Sequence, residues 1–305
     1  MNRNQSLVCA FLFLVFFGSS CSRKGLNSLD YGAKVINDLE KANALASEPS
    51  QNHSHALVVA YNQNLKKALA TPDWDACPKN CLNNLFDSLV TVSFYSNSAE
   101  HVIALEKVFR EIVAREGPSL RQVQKMRSSY IIARMFDKAR TLEGTTDQES
   151  LERLPEIIGD PSASGPKLYR VENKGKRLHL EAVSLDGPYV VILAHPLCGF
   201  TKRALKAIEA DPVLKSVMAS RAILIAPPNG QLEISEYIGW NRTHAAFPLR
   251  LVHAITDWPS LDEWNSTPIF YFLKDGKLLY KKSGWPSEES KKELYSGLEL
   301  LGLIK

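Results

Sequence analysis

The stretch STPIFYFLKDGKLLYKKSGW, residues 266–285, reads as two β-strands folded back on a two-residue turn. IFYFL and KLLYKKS are rich in aromatic and aliphatic side chains, and Asp275-Gly276 between them tolerates the positive φ angles that a tight hairpin requires. Thr267-Pro268 leads into the first strand and Gly284 closes the second.

Earlier in the chain, YVVILAHPLCGFTKRALKAI, residues 189–208, is a hydrophobic run that breaks at His195-Pro196, delivers Cys198 and continues as a helix. Further strand-like runs, KLYRVE, LHLEAVSL, AILIAP and LRLVHAI, are interleaved with helical TKRALKAIEA and SEESKKELYSGLELLGL, so residues 167–305 are expected to form an α/β domain. Residues 28–143 differ in period. Five segments there place apolar residues every three to four positions and predict five helices in an all-α domain. Ser98 opens one of them, and Ser119 opens another after Gly117 closes its predecessor. Residues 144–166 collect Gly, Pro, Ser and acidic residues and read as the boundary, with room for one short helix. The fold class is therefore α+β, an N-terminal helical domain followed by an α/β domain.

A buried strand running into a cysteine at a helix start, with a Thr-Pro dipeptide before a later hairpin, resembles the thioredoxin-like superfamily. The spacing from Pro268 to Gly276 and Gly284 follows the family register without a gap, and the resemblance covers residues 167–305. It implies a thioredoxin-like domain with a cis-proline at Pro268 packed against an active-site Cys198. Thr267-Pro268 resembles the Thr-cis-Pro of bacterial disulfide isomerases, which implies hydrogen bonds to an extended peptide substrate. The segment between Cys198 and Pro268 is longer than in a minimal thioredoxin. Residues 227–265, with Trp240, His244, His253, Trp258 and Trp264, are therefore expected to hold an insertion beside the site.

A cysteine in the first turn of a helix faces unpaired N–H groups and the positive end of the helix dipole, which favour thiolate. Lys202 and Arg203 add positive charge nearby, and His195 is placed to tune the thiolate. Two departures from the family stand out. Thr201 occupies the place of the second cysteine, so Cys198-Gly199-Phe200-Thr201 cannot run a dithiol cycle by itself, and Ile192 falls where the family has a buried acid that assists proton transfer. Three options remain: a monothiol that uses an outside thiol, a domain that captures partners through a mixed disulfide, or a redox-dead fold that binds without catalysis. His195 with His244 or His253 could instead form a copper or zinc site, although copper chaperones of this fold usually supply two cysteines. No other cofactor is called for.

Lys and Arg total 37 against 33 Asp and Glu, a net +4 spread along the chain, which gives no footprint for nucleic acid. The N-terminus has one Arg, then the apolar run LVCAFLFLVFF and small residues before Cys21, and reads as an export signal over residues 1–21. That run falls short of the roughly twenty residues a membrane span needs. Gly18-Ser-Ser-Cys21 resembles a bacterial lipobox, which implies lipidation of Cys21 and an envelope protein held on a membrane, facing the periplasm or the exterior. Export permits disulfides. Cys77 and Cys81, four apart at a helix start, read as a structural disulfide or as a resolving couple for Cys198 carried by the other domain. The expected partners are exported proteins or peptides with thiols or disulfides.

Overall fold

The computed structural model describes residues 27–46, 53–143, 153–285, 287 and 289–305. The export segment, Cys21 and residues 144–152 of the boundary lie outside the described residues.

The helical half holds α1 (Ser28–Leu45), α2 (His53–Asn64), α3 (Lys66–Ala70), α4 (Lys79–Ser96), α5 (Ala99–Arg115), α6 (Leu120–Ile132) and α7 (Phe136–Arg140). Ser98 Oγ accepts from the Glu100 N–H at the start of α5, and Ser119 with Gln122 forms a capping box on α6. Two of the five expected helices are broken in two. The break between α6 and α7 falls at Arg134, whose φ of 57° is left-handed, with Met135 N–H donating to Tyr130 O and Arg134 N–H to Ile131 O. This is the Schellman closure that usually takes glycine. Tertiary contacts explain the arginine: its Nε and Nη2 donate to Val252 O in the other half at 3.0 and 2.6 Å, and its guanidinium lies over the Phe136 and Tyr169 rings. Part of the residue stays open to solvent, yet the guanidinium is desolvated enough that its pKa falls to about 10.

The other half contains β1 (Glu156–Ile158), β2 (Lys167–Glu172), β3 (Arg177–Ala182), β4 (Pro188–Leu193), α8 (Gly199–Ala210), α9 (Pro212–Arg221), β5 (Ala222–Ala226), α10 (Ile234–Thr243), β6 (Leu249–Val252), β7 (Ile269–Lys274), β8 (Lys277–Ser283) and α11 (Ser290–Leu300). The strands form one mixed sheet in the order β1-β3-β2-β6-β5-β4-β7-β8. β4 pairs parallel to β5 and antiparallel to β7, and β7 to β8 is the expected hairpin, with Asp275 and Gly276 at φ 50° and 71°. Residues 156–158 of the boundary stretch form β1 and join the sheet edge along β3. The insertion adds α10 and β6, and β6 bridges β5 to the β2–β3 pair.

Strand β4 is apolar on both sides because both its faces are covered. Val190 and Ile192 enter a core that continues into the helical half through Phe136 and Tyr169, whereas Val191 and Leu193 enter a second core with Ile269, Tyr271 and Trp258. The halves are thus packed on each other, and Gly230 is one condition of that contact, since a Cβ there would lie 2.8 Å from Ser128 Cβ. Among the described residues no helix is long and apolar enough to cross a membrane.

Cys77 and Cys81 are joined in a buried disulfide that closes the turn before α4, and Arg115 donates to Cys77 O and Trp74 O across it. Cys81 lies in the first turn of α4 and Tyr95 in the last, roughly 21 Å apart along the helix axis. Because the loop is short, replacing both cysteines by Ser is expected to cost only about 2 kcal/mol by chain-entropy reasoning, read as a shift in the urea midpoint.

Candidate functional site

Three loops meet at the C-terminal end of β4, where the sheet order reverses direction and a crevice is expected. The loop after β4 brings His195 and Cys198. The loop after β5 brings Asn229 and Glu233. The segment before β7, antiparallel to β4, brings Thr267 and Pro268, whose peptide bond is cis.

Cys198 is the N-cap of α8, is partly exposed and forms no disulfide. Its Sγ lies 3.2 Å from Thr267 O. Partial burial pushes the thiol up, but hydrogen bonds from Thr267, from the backbone and hydroxyl of Thr201, and from the Phe200 N–H outweigh burial and hold it below the ordinary thiol value. A thiol that donates to Thr267 O is the protonated form, and loss of its proton leaves the donors to carry the sulfur. Thr267 and the helix start together therefore favour the thiolate. Arg203 is turned over the Phe200 ring, 4.4 Å from its centroid, and Lys202 is exposed. Neither is among the chief causes of the lowered Cys198 pKa.

Thr201 is 3% exposed, and its Oγ1 has no well-formed hydrogen bond although it acts on the sulfur. Ile192 is buried in apolar surroundings, so no acid stands beneath the sulfur at that position. Leu197 and Phe200 flank Cys198 and are exposed.

The His195 imidazole does not serve the thiolate directly. Its Nδ1 accepts from the Leu197 N–H at 3.3 Å, while Nε2 lies 3.5 Å from Asn229 Nδ2 and 3.2 Å from Glu233 Oε2, the latter a close contact without hydrogen-bond geometry. His195 O also accepts from the Cys198 N–H. His195 thus shapes the loop that presents the cysteine and ties it to the loop of Glu233, which stands at φ 46° before α10. Sequence reasoning missed Glu233, for which no local signal exists.

The other imidazoles are used elsewhere. His244 Nδ1 meets Glu209 Oε1 at 3.0 Å, and His253 stacks on Tyr169, where burial lowers its pKa. Among the described residues no group of three His, Cys, Asp or Glu could hold a metal ion. Of the tryptophans in the insertion, Trp240 and Trp258 are core residues and Trp264 alone reaches the site.

Next to Thr267 and His195 opens a cleft of about 490 Å³ whose far wall belongs to the helical half, with Phe94, Tyr95 and Asn97 at the end of α4. The Cys77–Cys81 disulfide sits at the opposite end of that helix and is buried, so it does not act as a resolving couple for Cys198.

No protein-family model matches the chain, and no curated protein does. Among solved structures the chain is similar to a thioredoxin-like protein from Bacteroides caccae, at 10% identity and a TM-score of 0.29, over 85% of this chain and 95% of that one.

Proposed function

We propose that the chain is an exported thioredoxin-fold protein, anchored in the bacterial envelope through a lipid on Cys21, whose Cys198 exchanges disulfides with exported proteins or peptides. The observation that carries this reading is Cys198 itself: a partly exposed residue at the mouth of α8, beside the cis Thr267-Pro268 peptide, with its thiol below the ordinary pKa.

In the step, the Cys198 thiolate attacks one sulfur of a substrate disulfide. A new S–S bond forms as the old one breaks, and the electron pair leaves on the second substrate sulfur, which takes up a proton. Thr201 offers no thiol for the second half, so release needs a low-molecular-weight or protein thiolate from outside. It attacks the mixed disulfide and frees Cys198. Thr267 and Pro268 would line the path of the substrate chain, and Thr201 holds the thiolate.

Trapping in envelope extract tests this. Wild type is expected to yield disulfide-linked complexes that reducing agent dissolves and that Cys198→Ser lacks. Identical complexes from both proteins would leave a non-catalytic binding platform as the function. Mass spectrometry of the N-terminal peptide is expected to find an acylated Cys21, and an unmodified one would remove the anchor.

A further inference from the structure

We infer that the cleft between the two halves is a binding site for a neutral stretch of polypeptide carrying a large apolar side chain next to its cysteine, with the helical half as the specificity-determining wall. This deepens the exchange reading above and rests on it for the cysteine.

Three observations carry the inference. The cleft holds about 490 Å³ and is lined by His195 of the cysteine loop and by Thr267, whose carbonyl lies 3.2 Å from Cys198 Sγ, so a chain engaged at Cys198 is already at its mouth. Among the described residues no Lys, Arg, Asp or Glu lines it, which favours a neutral ligand, while Phe94, Tyr95 and Trp264 supply aromatic surface. Finally, Asn97 Oδ1 is a buried acceptor with no partner, although its Nδ2 donates to Phe94 O at 2.9 Å. An acceptor left open in an uncharged cleft suits a peptide N–H.

Both walls are also set in place before any ligand arrives. His53 packs edge-on against Tyr95 at 4.9 Å and contacts Glu40 Oε2 at 2.6 Å, and Trp264 Nε1 donates to Leu261 O at 3.2 Å. Phe94 by contrast is half exposed and meets Tyr95 edge-on at 5.2 Å. A large side chain left in water at the mouth of a cleft gains on being covered.

The test uses the full chain and a labelled neutral hexapeptide with Phe beside Ser in the cysteine position, read by fluorescence anisotropy. Phe94→Glu, a change at an exposed position, is expected to weaken binding about tenfold, and Phe94→Tyr to retain it. Asn97→Gly, which keeps the left-handed backbone available, is expected to weaken it less. In parallel, the cysteine form of the peptide, activated as a mixed disulfide, is compared with a small aromatic disulfide. The ratio of the two rate constants is expected to fall about tenfold in Phe94→Glu.

Equal affinity of wild type and Phe94→Glu, or preference of the cleft for a neutral oligosaccharide such as maltotriose, would overturn the inference. Binding of the Ser peptide without reaction at Cys198 would leave the cleft standing and defeat the exchange reading. Reaction at Cys198 with no dependence on Phe94 would do the reverse.

Discussion

Thr201→Cys is expected to release a mixed disulfide at Cys198 about a hundredfold faster or more, because an intramolecular thiol replaces one that must arrive from solution. Residues three apart in the first turn of a helix stand roughly 5–6 Å apart between Cβ atoms, within reach of a disulfide after small adjustment. The Thr201 hydroxyl already acts on the Cys198 sulfur, and the residue is buried, so a thiol put there is aimed and shielded. Attack by the introduced thiolate on the Cys198 sulfur breaks the bond to the substrate and leaves a disulfide between positions 198 and 201. Stopped-flow release of a chromophoric thiol followed by peptide mapping measures both. An unchanged release rate would mean that residue 201 does not face the sulfur.

Arg134→Met is expected to destabilise the protein by about 3 kcal/mol, since it removes two charged donors from Val252 O and leaves that carbonyl short of partners between the halves. For a chain of this size the loss is read as a fall in Tm of roughly 5 °C. Arg134→Lys should recover little. A single ammonium cannot reproduce the planar fork that donates twice to one oxygen while lying across the Phe136 and Tyr169 rings. If calorimetry finds Arg134→Met as stable as wild type, this arginine is not what joins the two halves.

These two residues mark what the sequence can and cannot disclose. The hairpin, the strand before Cys198 and the helix after it are local patterns: short continuous apolar runs, an Asp-Gly pair with positive φ, a cysteine followed by amphipathic spacing. Such patterns are set by near neighbours and are legible. α9 is equally open to reading, since Asp211 caps it with its side chain and Pro212 holds the first position. The break at Arg134 is not, because no glycine marks it and its cause is a carbonyl far along the chain. The pairing of His195 with Glu233 depends on two loops brought together by the sheet, and that of Phe94 and Asn97 with Thr267 across one cleft on how the halves pack. No spacing along the chain encodes it. Positive charge from Lys202 and Arg203 is a reasonable expectation for the thiolate, yet hydrogen bonds from Thr267 and the helix start are the chief cause.

The lowered thiol pKa fixes the sign of the pH dependence. Thiolate persists in the folded protein at pH values where a free cysteine is mostly protonated. The associated stability is present above the unfolded thiol value and is lost as pH falls through the folded one.

The rate of alkylation of Cys198 by iodoacetamide against pH, read on its own peptide by mass spectrometry, tests the reactive-thiol reading most directly. An apparent pKa below the free-thiol value of about 8.5, moving upward in Thr201→Ala, is expected. A value at or above that of a free thiol, or a sulfur that does not react in the folded protein, would contradict it.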